Sequence, residues 1–289
     1  MPGFQLLMEP REIVYRYDGS LAGFYSCVHA CVYGRELPLN IESDEEQQIS
    51  LFPARRIDTN IALATRVRNA VAQKISPGAL ELCEHVFLSC LEKKEMAMLR
   101  FLALGFATGR GVENRLAEPV VDTMLQAEKH LLGEAHLLLG FVRFSDHNGK
   151  LLSAISPKNF VLPLIAPHFA DRYSQENFLI YDRTHRVALV YENGKVELCA
   201  LEGEWPEASE TELFYQALWK QFYHTIAIRE RENPKCRRTH MPKRYWENMV
   251  EMQPLLHEPQ RASCLAASKA KNTIMAVTPG LEVYAHLEG

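Results

Sequence analysis

The sequence lacks any long apolar run, and this absence bears on where the protein can reside. Its most apolar stretch, HLLLGFVRF at 136–144, is far shorter than the roughly 20 residues that a membrane-spanning helix needs. The first dozen residues contain charges and no apolar core of signal-peptide length. The seven cysteines are odd in number and scattered, so they do not form a disulfide framework and are typical of a reducing compartment. We expect a cytoplasmic protein.

An excess of positive charge is also missing from the chain as a whole. The formal net charge is −4 over 289 residues, so no overall field draws the protein to nucleic acid. Any contact with a polyanion must therefore come from a local patch. The composition, with 47% hydrophobic and 24% charged residues, is that of a globular protein with one large domain or two small ones.

The short signatures of well-known catalytic sites are absent as well. The sequence contains no Walker loop, no GxGxxG, no HExxH and no GxSxG. No set of cysteine, histidine and carboxylate residues has the spacing of a zinc or iron–sulfur site. We therefore expect no metal and no cofactor, and the residues alone do not demand catalysis.

Helical periodicity dominates the first half of the chain. Asp18-Gly19-Ser20 is turn and helix-cap chemistry, and it follows a short strand predicted at Ile13–Tyr17. Residues 37–53, LPLNIESDEEQQISLFP, are predicted to be a polar, acidic connection. Apolar residues at helical spacing predict helices at 21–33, 60–74, 77–91, 95–107 and 119–132.

The second half predicts a sheet. Two Asn-Gly dipeptides, at 148–149 and 193–194, are typical of tight turns between neighbouring strands. With the helix-like stretch PKNFVLPLIAPHFADRY between them, they predict the element order ββαβββ within 137–201, with antiparallel neighbours. A further helix at about 211–229 should pack its apolar face against this sheet.

The expected fold class is therefore α+β, with a helical N-terminal half and an antiparallel sheet flanked by C-terminal helices. We expect three regions along the chain. They are a mainly helical region at 1–133, the sheet with its helices and basic C-terminal motif at 134–256, and a loosely ordered tail at 257–289.

Positive charge is concentrated in one stretch, KCRRTHMPKRYW at 235–246, here called the basic segment. Lysine and arginine clusters bind phosphates through counterion release and charge-assisted hydrogen bonds, and aromatic rings stack on bases or pack in the core. The alternatives are a solvated charged face and arginines that bind the acidic loop EGEWPEASE. The candidate nucleic-acid-binding residues are Arg237, Arg238, His240, Lys243, Arg244, Tyr245 and Trp246.

The arrangement of the basic segment can also be predicted. Pro242 should start a helix over KRYWENMVEM, because proline is preformed for the first helical turn. Tyr245 and Met249 would then point inward, and Lys243 would pair with Glu247 four residues on. His240 would sit in the loop ahead of this helix.

Three other polar groups are weaker candidates. Ser20 can aim a helix N-terminus at an anion, although a plain N-cap is the more ordinary interpretation. Asp182 and His185 can orient one another for proton transfer, although YDRTHR is also ordinary turn chemistry. Asp18, Asp182 and His185 are the candidate catalytic residues. The CVHAC stretch at 27–31 is better explained by small cysteines in a buried helix than by a metal site.

Three stretches together resemble a known family. YDGSLAGFYSCV, FLIYDRTHRVALVYENGKVE and RTHMPKRYWENMVE are similar, in order and separation, to a bacterial family of DNA metabolism and repair proteins, and the resemblance covers roughly residues 13 to 254. Its members are encoded beside a radical SAM protein of DNA modification or repair, and a similar region occurs fused to uracil-DNA glycosylase-like domains. The resemblance implies a DNA context and a radical SAM partner, but it implies no reaction.

Three functions follow as hypotheses. The favoured one is a DNA-binding accessory protein that grips phosphate through the basic segment and acts with the radical SAM partner. The second is a DNA-processing enzyme, for base excision or end processing, that uses Asp182 and His185. The third is a pure protein–protein adaptor that docks the radical SAM protein without contacting DNA.

Overall fold

The computed structural model describes residues 9–44, 51–201, 205–206 and 208–253. The chain divides into two compact units, and the division falls between Glu134 and Ala135. Each unit is described by itself. The predicted tail at 257–289 lies outside the described residues.

The described part of the first unit contains a small parallel sheet and five α-helices, the last of which continues past Glu134 into the second unit. Strand β1 (Glu9–Tyr17) lies between β2 (Glu36–Ser43) and β3 (Ala54–Arg56), and it pairs in parallel with both. Helix α1 (Leu21–Gly34) makes the crossover from β1 to β2. The remaining helices are α2 (Ile61–Lys74), α3 (Pro77–Leu88), α4 (Lys94–Thr108) and α5 (Pro119–Phe141).

The predicted polar connection at 37–53 was wrong, because strand β2 occupies its first part. The acidic residues predicted a loop, yet carboxylates of this strand have partners in the fold. Glu36, which begins β2 just before the stretch, accepts hydrogen bonds from the Tyr15 hydroxyl and from Arg55, and Glu42 within the stretch lies 3.9 Å from Arg16. Contacts with residues far apart in the sequence therefore stabilise a strand where the local composition predicted a loop.

The second unit contains a five-stranded sheet in the order β4-β5-β6-β7-β8. The element order ββαβββ and the α+β class are confirmed. The β5–β6 pair is parallel, while the other pairs are antiparallel, because α6 carries the chain across between β5 and β6. The elements are β4 (Ser145–Asp146), β5 (Leu151–Ile155), α6 (Leu162–Arg172), β6 (Phe178–Asp182), β7 (Val187–Glu192) and β8 (Lys195–Ala200).

The C-terminal helices differ from the prediction. Helix α7 (Glu210–Ile226) was expected to bury its apolar face against the sheet, but that face is exposed, and the one buried side chain that α7 carries is Lys220. Helix α8 (Pro234–His240) follows, and 3-10 turns then occupy Lys243–Asn248 and Val250–Met252.

Candidate nucleic-acid interface

The first half of the basic segment is helical. Helix α8 starts with Pro234 in its first turn, and the Asn233 side chain caps it by accepting a hydrogen bond from the Cys236 backbone N–H at 2.9 Å. His240 ends the helix, where its Nδ1 lies 3.0 Å from the Cys236 carbonyl oxygen. The prediction that His240 lies in a loop was therefore wrong. Every side chain from Lys235 to His240 is exposed.

The arginines of α8 have no acidic partner in the described part of the chain. Neither Arg237 nor Arg238 has a carboxylate oxygen within 4.0 Å there. Arg238 donates through Nε to the Pro234 carbonyl oxygen at 3.1 Å. The Arg237 guanidinium lies 5.8 Å from the centre of the Trp246 ring, and Lys243 Nζ lies 5.9 Å from the same ring. The positive charge is thus presented to solvent around an aromatic ring.

Two aromatic residues anchor the second half of the segment, and they do so differently. Tyr245 is 1% exposed and packs on Phe141, with ring centres 5.6 Å apart. Its ring has no free face for a base, so we withdraw it as a stacking candidate. Arg244 lies over the Tyr245 ring at 4.6 Å and donates to its hydroxyl. Trp246 is only partly buried, and its indole N–H donates to the Met241 carbonyl oxygen at 3.0 Å.

The predicted helix after Pro242 is only partly present. Pro242 precedes a 3-10 turn, and Met249 adopts an extended conformation that ends it, so no α-helix forms. Tyr245 and Met249 are buried, as expected. Glu247 does not pair with Lys243, because its carboxylate accepts a hydrogen bond from the Ser156 hydroxyl at 2.8 Å.

Asp182 and His185 form a close pair at the carboxyl end of β6. Asp182 is fully buried, and its Oδ2 lies 2.6 Å from His185 Nδ1. Its Oδ1 accepts the backbone N–H groups of Thr184 and His185 at 2.9 and 3.1 Å. The same carboxylate therefore builds the turn and orients the imidazole, and the proton-transfer role of the pair stays a prediction.

A second polar pair lies beside this one, and the sequence did not reveal it. Strands β5 and β6 are parallel neighbours, with Ile155 opposite Asp182, so Ser156 follows at the same sheet edge as the Asp182 turn. Ser156 contacts the basic segment's own 3-10 turn through Glu247 and through Asn248, whose side-chain amide is 3.3 Å from the Ser156 hydroxyl. A β5–α6–β6 crossover predicts that Ser156 and Asp182 lie at one sheet edge, whereas the contact of Ser156 with Glu247 and Asn248 has no local signal in the sequence.

In the first unit, Asp18 and Ser20 form a helix cap. Ser20 Oγ accepts the Gly23 N–H at 2.9 Å and donates to Asp18 Oδ1 at 2.7 Å. Burial opposes ionisation of Asp18, but hydrogen bonds from Thr59 and Ser20 outweigh it and lower the pKa of this carboxyl. An anion at this helix start would meet the Asp18 charge, so the geometry favours the cap over an anion site.

The CVHAC stretch lies in α1. Cys27 and Cys31 are fully buried, and burial raises the pKa of both thiols, to about 12 for Cys31. His29 stacks on Tyr33, with ring centres 6.1 Å apart. Across the residues that the structure describes, no three histidine, cysteine or carboxylate side chains gather as metal ligands would. The same residues include no helix with the length and apolarity needed to cross a bilayer.

The fold and this interface define an α+β protein with an exposed basic surface on its second unit. A family model matches residues 92–251, which include α5, the whole second sheet, α7 and the basic segment. The chain belongs to that family, which is described as a domain of unknown function, DUF4130. No curated protein and no solved structure matches the chain.

Proposed function

We propose that this protein is a DNA-binding accessory factor of DNA repair or DNA metabolism. In this proposal the basic segment grips DNA phosphates, and a radical SAM partner performs the chemistry. The observation that carries the proposal is the pair Arg237 and Arg238, which are exposed and have no carboxylate within 4.0 Å in the described part of the chain. An arginine without an acidic partner keeps its full capacity for a charge-assisted bond to phosphate.

The charge pattern of the segment supports a polyanion as its ligand. Residues 235–246 contain five lysines and arginines and no acidic residue, whereas the whole chain has a net charge of −4. A local concentration of this kind attracts phosphate through counterion release, whatever the sign of the whole molecule.

The way the segment is held also supports binding. Tyr245 in the segment and Met249 just after it are buried. At the other end, the Asn233 side chain caps helix α8. Cations mounted on such a support lose little conformational freedom when they meet a ligand. Trp246 adds a partly exposed ring between two cations, and base stacking on such a ring is tolerant of sequence. The DNA context and the radical SAM partner come from the family resemblance.

The test is a salt titration of DNA binding by the double variant Arg237→Ala/Arg238→Ala. Loss of two phosphate contacts should reduce the slope of log affinity against log salt by about two units, with the melting temperature unchanged. Arg110→Ala/Arg115→Ala is the matched control, since both of its arginines are also exposed. A slope equal to that of the wild type would refute the proposal. A fall in melting temperature with DNA affinity unchanged would show that the arginines are structural.

Partnership with the radical SAM protein needs its own experiment. The purified partner should be captured by the full chain more strongly with DNA present than without it. Equal capture with and without DNA, together with an unchanged salt slope in the double variant, would favour the adaptor hypothesis.

A second candidate function is DNA processing by the Asp182–His185 pair. The favouring observation is that a fully buried carboxylate holds His185 through Nδ1, which leaves Nε2 as the nitrogen for proton transfer. The side chain of His185 is 29% exposed, so the imidazole is accessible to solvent. His185→Gln should then abolish turnover of a DNA substrate while DNA affinity stays within twofold.

A further inference from the structure

Helix α7 exposes large apolar side chains that an ordinary surface helix would bury. An amphipathic helix normally buries its apolar stripe and exposes its polar face. In α7, Phe214 is 60% exposed, Leu218 45% and Phe222 51%, whereas Lys220 is 8% exposed. Residues four apart lie on one helix face, so these three apolar side chains form a continuous exposed stripe along α7.

Polar contacts hold α7 in this orientation. Glu212 accepts the Asp146 backbone N–H at 3.0 Å, and the Trp219 indole donates to Glu251 at 3.2 Å. Glu251 in turn receives a two-pronged contact from Arg143, at 2.7 and 3.1 Å. These contacts fix the rotation of α7 about its axis and leave the stripe exposed.

The stripe is large for a monomer surface. Six large apolar residues along it are each about half exposed: Phe214, Tyr215, Leu218, Trp219, Phe222 and Ile226. At about 200 Å² for a large side chain, they present about 600 Å² of apolar area. A single patch of this size is at the upper end for a monomer. Two such surfaces together give about 1,200 Å², the lower bound for a stable specific interface.

We propose that this stripe is the interface of a homodimer in which α7 packs antiparallel against α7 of a second copy. Leu218 lies at the middle of the helix, so a two-fold axis near it places Phe214 of one copy beside Phe222 of the other. A groove of about 650 Å³ lies next to α7, lined by Phe144, Trp219, Phe222 and Val250 among others. It gives the partner's aromatic side chains a place to insert.

The acidic first turn and the helix dipoles favour the antiparallel direction. Glu210 and Glu212 make the first turn of α7 acidic, whereas its last turn carries His224 and no acidic residue. An antiparallel pair keeps the two acidic turns apart and opposes the two helix dipoles. A parallel pair would set Glu210 against Glu210, which repels.

The first test measures the oligomeric state of the full chain by sedimentation over a concentration series. The wild type should be a dimer at micromolar concentration. Phe214→Glu/Phe222→Glu should be a monomer with an unchanged circular dichroism spectrum, since both side chains are exposed. Ile61→Glu/Leu116→Glu is the matched control, since it also places charge at exposed apolar residues, and it should remain a dimer.

The second test measures the direction of packing in a parent where the exposed Cys90 and Cys236, and Cys264, are replaced by serine. A mixture of Phe214→Cys and Phe222→Cys should give a disulfide-linked heterodimer under mild oxidation. Phe214→Cys alone should not cross-link, because only a parallel pair in register sets position 214 against itself. The parent itself should not cross-link. Glu210→Gln should change the dimer affinity by less than about twofold at low salt, because the two acidic turns lie apart in the antiparallel pair, and a clear gain in affinity would indicate the parallel direction.

Several results would overturn the proposal. A wild type that remains monomeric at concentrations about 100 times above the micromolar range would overturn it. This holds equally if residues 254–289 cover the stripe and if another protein does. A dimer that persists in Phe214→Glu/Phe222→Glu would place the interface elsewhere. Cross-linking of Phe214→Cys alone, with no heterodimer in the mixture, would exclude the antiparallel geometry.

Discussion

Oδ2 of the buried Asp182 lies 2.6 Å from Nδ1 of His185, three residues along the chain. This contact ties the imidazole ring to the carboxyl group. The same carboxylate also accepts two backbone N–H groups of the turn. A single residue thus joins the β6–β7 turn to the orientation of a histidine.

This double role makes two substitutions of Asp182 distinguishable. Asp182→Asn keeps a side-chain oxygen for the backbone N–H groups, so the free energy of unfolding should fall by only about 1 kcal/mol. Asp182→Ala leaves both N–H groups without that acceptor, and the loss should be about 2–4 kcal/mol. Urea unfolding measures both values. Equal losses for the two variants would show that the backbone contacts do not stabilise the turn.

Glu251 should make stability depend on pH in the acid range. Burial opposes its ionisation, but hydrogen bonds from Arg143 prevail and lower the pKa of this carboxyl below its ordinary 4.5. A carboxyl with a lowered folded pKa stabilises the fold above its unfolded pKa, and this contribution is lost as pH falls through the folded value. Glu251→Gln should therefore cost about 2 kcal/mol at pH 7 and flatten the stability curve below pH about 4.5. Urea midpoints from pH 7 to pH 3 measure this, and parallel curves for variant and wild type would contradict it.

Gly23 is required by close packing at the start of α1. A Cβ there would lie 2.2 Å from Asp18 Oδ1 and 2.9 Å from Thr59 Oγ1, so Gly23→Ala must break the cap or displace its partners. We expect a loss of about 1–3 kcal/mol in the free energy of unfolding. Gly133→Ala is the matched control, because that helical position has nothing within 4 Å of an added Cβ. The control should be neutral or gain up to about 1 kcal/mol. Thermal unfolding of the two variants compares them, and a stable Gly23→Ala protein would disprove this account of the cap.

Substitutions of Tyr245 and of Trp246 should have different effects, the first on stability and the second on DNA binding. Tyr245→Ala removes a buried ring from the core and should cost about 3–5 kcal/mol in unfolding free energy. Trp246→Ala should leave most of the stability and weaken binding of single-stranded DNA by about 1–3 kcal/mol, since it removes the stacking ring. Trp246→Phe keeps a ring but loses the hydrogen bond to Met241, and it should retain most of the affinity. If Trp246→Ala and the wild type bind single-stranded DNA equally, the ring takes no part in binding.

Local patterns predicted the elements of the second unit because the signals there are short-range. The Asn-Gly turns, the apolar strands and the helical stretch between them lie within a few residues of one another, and they specify the order ββαβββ. Such features depend on backbone geometry that each segment carries with it. Tyr245 and Met249 are buried as their spacing of four residues predicted, although the segment forms a 3-10 turn and not the α-helix on which that prediction rested.

Three features depended on contacts between distant residues. Strand β2 is stabilised by hydrogen bonds from Tyr15 and Arg55 to Glu36. Glu247 contacts Ser156, 91 residues away, and not Lys243. The periodicity of α7 predicted that its apolar face is buried. The hydrogen bonds of Glu212 and Trp219 instead hold the helix in an orientation that exposes this face. Composition and periodicity determined the α+β class and the location of the positive charge. Only the tertiary structure decided which side chains are in contact and which face of α7 is exposed. The physical reason is that a contact with a residue far along the chain changes the free energy of a side chain, and the local sequence around that side chain does not contain this information.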